Sequence, residues 1–214
     1  MYSPPPDTGL HILYRDDVLL AVDKPSGLLS VPGRGAQKHD SLSVRVRSAY
    51  PESLIVHRLD MATSGLMLFA RDRGAQSAMG RLFQTRQVHK EYIALVAGQV
   101  DPLQGEIDLP LTTDWPNRPR QIVDYAMGKP ALTRYQVLSR GDDSSRVCLM
   151  PVTGRSHQLR VHMHALGHPI LGDELYADPA THARSPRLLL HAHRLCFRHP
   201  MTGELLMVES PVPF

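Results

Sequence analysis

The chain has 214 residues, 42% of them hydrophobic and 21% charged, an ordinary globular composition that excludes wholesale disorder. No apolar run is long enough to span a bilayer, and the opening MYSPPPDTG lacks the basic and apolar segments of a secretion signal. The net charge is +3, and 20 of the 24 basic residues are arginine; guanidinium suits bidentate phosphate contacts and base stacking, a mild pointer to a polyanionic partner that genome composition would equally produce. Cys148 and Cys196 sit in the apolar stretches VCLMPV and RLCFRHP. They fit no disulfide framework or zinc spacing and read as buried thiols in a reducing compartment, so the cytoplasm is the expected location.

In chain order, the prolines of residues 4–6 suggest an extended, loosely held arm over residues 1–11. Leu19 to Val22 reads as a strand ended by the turn signal Lys24-Pro25-Ser26-Gly27. Leu28 to Val31 is expected to form a second short strand before the Gly-rich loop Pro32 to Gly35. Ser41 to Tyr50 fits a short helix capped by Asp40 or Ser41. Leu54 to Val56 and Gly65 to Ala70 read as strands around a polar connection, His57 to Ser64. From Asp72 to Gln87 the pattern is helical, with Ala75, Met79, Leu82 and Phe83 on one face. Tyr92 to Ala97 is a strand, as are Arg134 to Leu138 and Arg146 to Val152, the last two joined by a turn at residues 141–144. Ser156 to Leu166 reads as a helix stopped by Gly167, and Leu188 to Phe197 and Leu205 to Val208 as the closing strands. Many strands with few, irregularly placed helices point to an α+β fold with a mixed, mostly antiparallel sheet core flanked by helices and loops.

Common chemical motifs do not fit. Gly128-Lys129 is followed by Pro130, so there is no phosphate loop of the Walker type. Residues 154–158, GRSHQ, miss the nucleophile elbow at its last position. Among the 12 histidines, His157, His162, His164, His168, His191 and His193 are the candidates for metal ligands. His164 and His168 are four apart, but Gly167 should end the helix between them, and no carboxylate or Cys completes a set; no metal is expected. The segment 57–71, HRLDMATSGLMLFAR, places an Arg and an Asp in a tight connection between apolar strands. Thr63 and Ser64 can bond the turn backbone, and Gly65 can take a positive φ. A carboxylate held at such a junction can act as nucleophile or base, although an isolated loop Asp is more often a turn residue.

Taken together, these residues resemble the RluA-type pseudouridine synthases. Residues 57–70 meet every fixed position of that family's signature HRLDxxTSGLxxFA. Lys24-Pro25-Ser26-Gly27-Leu28 is similar to its KPxGL motif, and Lys90-Glu91-Tyr92 to its K-x-Y motif. Residues 153–162, TGRSHQLRVH, HPILGD at 168–173 and LLHA at 189–192 complete the set in order. The resemblance covers roughly residues 12–210. It implies one catalytic domain over 12–214, an isomerase that converts uridine in RNA to pseudouridine, and no cofactor. Asp60 would be the nucleophile, Tyr92 would stack on the base and act near its carbon in proton transfer, and Arg155 would pair with Asp60. Arg58 would enter the RNA stack where the uridine leaves it, and Leu190 would help line the pocket. The local physics agrees: a base must leave its stack before its glycosidic bond is rearranged, a guanidinium keeps a carboxylate ionised, and an aromatic face holds a flipped base.

Many relatives carry an N-terminal S4-type RNA-binding domain. Here about 10 residues precede the first strand, so that domain is expected to be absent and substrate recognition to come from the catalytic domain. The insert Asp108 to Pro130, with its DWPNRPR stretch, is either a solvated loop or a finger gripping RNA with Arg118 and Arg120 on phosphates. With Ser30-Val31-Pro32-Gly33-Arg34, these features resemble a dual-specificity member of the family, and the resemblance implies action on a tRNA anticodon stem-loop and a 23S rRNA hairpin. The alternatives are a synthase with a single rRNA target and, from another class, a non-catalytic RNA-binding module. No protein partner is implied.

Overall fold

The computed structural model describes residues 2–214. They form two compact units, one from the segment up to His89 together with His191–Pro213, the other from Lys90–Leu190 with Phe214.

In the first unit, β1 (Ile12–Arg15) and β2 (Leu19–Lys24) form a hairpin, and β2 runs antiparallel to β4 (Ser64–Ala70) from Leu19↔Ala70 to Lys24↔Gly65. β4 is buried along its whole length, as its unbroken apolar run requires. It also meets β3 (Leu54–Ile55) antiparallel at its C-terminal end and β11 (Leu190–Arg198) parallel at its N-terminal end, through His191↔Ser64 and Ala192↔Gly65. β12 (Leu205–Glu209) returns antiparallel on β11. Helix α1 spans Leu42–Ala49. Helix α2, Arg73–Gln84, starts where the Asp72 carboxylate accepts the Ala75 N–H at 2.8 Å. Ala75 and Met79 of α2 are buried with Leu66, Leu68, Leu195, Phe197 and Val208, and Leu82 and Phe83 pack at the rim. The expected helical face is therefore the one that closes this core.

In the second unit the strand order is β5 (His89–Ala97), β10 (Ser144–Pro151), β9 (Leu132–Arg140) and β6 (Gln104–Asp108), all antiparallel. Helix α3, Gln158–Ala165, ends before Gly167, whose φ is +88°. A short α4 follows at Pro179–Ala183, where the Asp178 carboxylate accepts two N–H groups. The α+β class and the mostly antiparallel sheet are as expected.

Three expectations are corrected. Leu28 to Val31 is not a strand, because its backbone serves other partners: the Leu28 carbonyl accepts from Lys24 Nζ, and the Leu29 and Ser30 carbonyls accept the first N–H groups around α1, at Leu42 and Ser43. The N-terminal arm is extended but not loosely held. Arg45 Nη2 donates to the Pro5 carbonyl at 2.7 Å while the same guanidinium pairs with Asp40, and Tyr2 Oη accepts from Leu29 and donates to the Asp40 carbonyl. Cys148 is buried, but Cys196 is half-buried. Of the two readings of the insert 108–130, the structure excludes the solvated loop: Leu111–Thr113 (β7) and Gln121–Val123 (β8) pair as a hairpin whose Leu111 and Val123 pack with Ala131, Val161 and Tyr176. Its tip, residues 115–120, is exposed. No helix among the described residues is long and apolar enough to cross a membrane.

Candidate active site

Asp60 stands in the connection between β3 and β4, and this connection is held by its backbone. The hydroxyl of Ser30 donates to the Leu59 carbonyl at 2.6 Å and accepts the Leu59 N–H at 3.0 Å. Beyond Asp60, Lys24 and the turn after it take over. Lys24 is completely buried, and its ammonium donates to the carbonyls of Pro25, Leu28 and Met61 at 2.9, 2.7 and 3.0 Å. Three donors meeting three acceptors is what makes a buried ammonium tolerable. Gly27 N–H also donates to the Met61 carbonyl, and Ser26 Oγ donates to the Ala62 carbonyl at 2.7 Å. The Asp60 carbonyl accepts the Thr63 N–H at 3.2 Å, closing the turn. The backbone is thus fixed at 59, 61 and 62, and the carboxylate between them is presented from a rigid support, the condition for a preorganised catalytic group. Arg58, two residues away, is exposed.

Both ends of the connection are anchored by histidine. His57 Nε2 accepts the Leu68 N–H at 2.9 Å, and its ring lies 5.0 Å from that of Phe83. At the other end Ser64 Oγ lies 2.9 Å from His191 Nδ1, His191 Nε2 lies 3.0 Å from Ser210 Oγ, and Ser210 Oγ donates to Asp23 at 3.0 Å. Because the Ser210 proton goes to Asp23, His191 Nε2 donates to Ser210, and Nδ1 accepts from Ser64. Gly65 has φ +112°, and a Cβ there would sit 2.3 Å from the Ala192 carbonyl oxygen, so both the conformation and the close approach of β11 require glycine.

Tyr92 lies on β5, half-buried, opposite Leu149 of β10. Lys90, on the same strand, reaches the Thr153 carbonyl at 3.3 Å and so ties β5 to the turn that carries Arg155; burial lowers the Lys90 pKa. That turn is built on Gln158. Its side-chain oxygen accepts from Thr153 Oγ1 and the Arg155 N–H, and its amide donates to the Leu132 carbonyl and Thr133 Oγ1. Arg155 is exposed, and its Nε donates to the Pro130 carbonyl at 3.1 Å. Helix α3 begins at Gln158 rather than Ser156 because His157 takes a left-handed conformation, φ +53°, which an α-helix cannot contain. Leu190 is buried at the start of β11. On the hairpin, Arg118 stacks over Trp115 at 4.9 Å and Arg120 lies 5.6 Å from the Tyr176 ring centroid; both arginines and Trp115 are exposed. Asp60 and Arg58 therefore lie on the first unit, and Tyr92, Arg155, Leu190, Arg118 and Arg120 on the second.

Among the histidines, His157 bonds to Tyr176, His162 to Thr133 and the Leu109 carbonyl, His168 to the Ala97 carbonyl, and His193 to the Ser210 carbonyl, while the His164 ring lies 6.4 Å from that of Tyr176. Lys24, His57, Gln158 and His191 were visible in the sequence as motif positions, but their roles were not. Ser30, Ser210 and Tyr176 carried no local signal, since each acts on a partner far along the chain.

The chain belongs to the family described as RNA pseudouridylate synthase, which matches residues 18–165. It is a pseudouridine synthase of the RluA type, an isomerase. It is 51% identical, over its whole length and 98% of the relative, to the dual-specificity RNA pseudouridine synthase RluA of Escherichia coli K12, and 53% identical, with the same coverage, to that of Pasteurella multocida. Among solved structures, human RNA pseudouridylate synthase domain containing 1 superposes with a TM-score of 0.81 at 32% identity, over 99% of this chain and 87% of that one. Human RNA pseudouridylate synthase domain containing 4 gives 0.77 at 30% identity, over 94% and 88%.

Proposed function

We propose that this enzyme converts uridine to pseudouridine in two kinds of RNA, a tRNA anticodon stem-loop and a 23S rRNA hairpin, with Asp60 as nucleophile, and that it does so in the cytoplasm. The observation that carries the substrate assignment is the identity of 51% over the full chain to a synthase whose name records dual specificity. The exposed hairpin tip with Trp115, Arg118 and Arg120 supports it, because phosphate contacts from one short finger fit any hairpin of similar shape. Motif residues fall on both units, and we take 12–214 as one catalytic domain.

In the reaction the N1–C1′ bond of uridine breaks, the base turns, a C5–C1′ bond forms, C5 gives up its proton and N1 takes one up. Atoms and electrons balance within the nucleotide, so the chemistry calls for no cofactor. Asp60 supplies the carboxylate. Tyr92 holds the face of the flipped base, Arg155 keeps Asp60 ionised, Arg58 fills the gap left in the stack, and Leu190 lines the pocket. The test is to incubate the purified protein, at enzyme excess, with each RNA and map pseudouridine. Both are expected to be modified, and Asp60→Asn is expected to bind both without turnover. Modification of one RNA alone overturns dual specificity, and turnover by a clean Asp60→Asn preparation overturns the nucleophile.

A further inference from the structure

We infer that Lys90 is a phosphate-binding residue of the RNA site: its ammonium takes a backbone phosphate flanking the uridine whose base Tyr92 holds. The inference deepens the functional reading above and rests on Tyr92 facing the flipped base.

Two lysines of the motif segments differ in what surrounds them. Lys24 is completely buried, and three carbonyls at 2.7–3.0 Å serve its three protons. Lys90 Nζ has one acceptor, the Thr153 carbonyl at 3.3 Å, and among the described residues no carboxylate pairs with it. An ammonium has three protons, so two remain for groups that are not part of the chain. The side chain is half-buried, and burial is what lowers its pKa. The charge is therefore held in that place at a cost. As a purely structural member an apolar side chain of the same length would serve as well or better. A cation there gains when an anion arrives.

The position of Lys90 identifies the anion. β5 runs from His89 to Ala97, and side chains alternate along a strand, so Lys90 and Tyr92 stand on one face about 7 Å apart. A base held on Tyr92 brings with it a ribose and the two phosphates on either side. Those phosphates carry the only full charges of the nucleotide. The ammonium is also held ready for them. Its acceptor Thr153 is buried, with Oγ1 accepting the Leu132 N–H at 2.9 Å and donating to Gln158 at 2.7 Å. The next residue, Gly154, is exposed, and a Cβ there would lie 3.8 Å from Lys90 Nζ. That flank of the ammonium thus carries no side chain. A cation preset in this way adds affinity at little ordering cost. Arg118 and Arg120 stand on the exposed tip, where any hairpin offers phosphate; Lys90 answers to one phosphate at the target itself.

The test measures affinity of the Asp60→Asn protein, with and without Lys90→Met, for the tRNA anticodon stem-loop. The RNA is used as it is, or with one uncharged methylphosphonate placed 5′ of the target, 3′ of the target, or in the stem. Lys90→Met should melt no lower than its parent and bind the unaltered RNA about tenfold more weakly. The slope of log K against log salt should fall in magnitude by about 0.7 to 0.9, the share of one phosphate. One of the two flanking methylphosphonates should weaken the Lys90 protein about tenfold and Lys90→Met by less than about twofold. The methylphosphonate in the stem should affect both proteins alike. Unchanged affinity and slope in Lys90→Met, or no coupling at either flanking position, overturns the inference. So does a slowed single-turnover rate with affinity and slope unchanged, when Lys90→Met is made in the active enzyme, because that result puts the ammonium on the base. Should Lys90→Met fail to fold, the Lys90 protein decides alone: affinity untouched by both flanking methylphosphonates overturns the inference. Failure of the wild-type enzyme to modify this RNA removes the functional reading instead, and the inference with it.

Discussion

His162 shows how much a single side chain can settle. It is fully buried on α3, with Nε2 3.1 Å from the Leu109 carbonyl and Nδ1 2.9 Å from Thr133 Oγ1. A carbonyl only accepts, so Nε2 carries the proton and Nδ1 accepts from Thr133, whose oxygen accepts in turn from Gln158. Burial pushes the pKa of His162 below the ordinary 6.5. The unfolded chain then binds a proton that the native state refuses, so stability falls as pH drops from about 6.5 toward the lowered native value. His162→Asn has no such proton to refuse. Thermal melts should show wild type the more stable above pH 7, with the gap to the variant narrowing as the pH is taken to about 5.5; a gap independent of pH would mean that His162 does not titrate in this way. At this scale the sequence showed what local chemistry determines. Gly65 was expected to take positive φ and does, and Asp60 was expected in a tight turn and closes one with Thr63. It could not show that Ser30 grips Leu59, because those residues are 29 apart in the chain.

The same boundary holds for elements. α2 was legible because Ala75, Met79, Leu82 and Phe83 repeat at helical spacing and nothing competes with that face. β4 was legible as an apolar run. Residues 28–31 have strand composition, yet Lys24, Leu42 and Ser43 claim their backbone groups, and β7 and β8 were hidden because three-residue strands leave no periodicity to detect. Two predictions belong here. Ser30→Ala takes from the Leu59 N–H and C=O the one hydroxyl that serves both, and leaving a buried polar site unserved costs about 1–3 kcal/mol. Urea unfolding should show a loss in that range, and turnover should fall more than RNA affinity because Asp60 loses its anchored neighbour; unchanged stability and turnover would count against the anchoring role. On the hairpin, replacing Arg118 and Arg120 together with Ala should weaken both RNAs alike and reduce the slope of log K against log salt by about 1–2. An unchanged slope would show that the tip does not touch phosphate.

The whole molecule offers one held Asp60 loop and one exposed hairpin tip, and that limits how two different RNAs can be served. If each RNA had its own surface, both could be bound at once and neither would impede the other. On the proposed function, with Asp60 as the nucleophile and the hairpin tip as the finger, the anticodon stem-loop and the 23S rRNA hairpin exclude each other. The Asp60→Asn protein, which is expected to bind without turning over, makes this measurable: titration with either RNA should saturate at one RNA per chain, and each should displace the other completely. In the active enzyme the stem-loop, presented with its target already pseudouridine, should inhibit conversion of the rRNA hairpin competitively, raising KM and leaving kcat unchanged. Its inhibition constant should equal the Kd measured on the Asp60→Asn protein. Both constants should weaken together as salt is raised, since both report the same phosphate contacts. Inhibition that lowers kcat, or a ternary complex with both RNAs on one chain, would separate the two substrates onto different surfaces and remove the single-finger account of dual specificity.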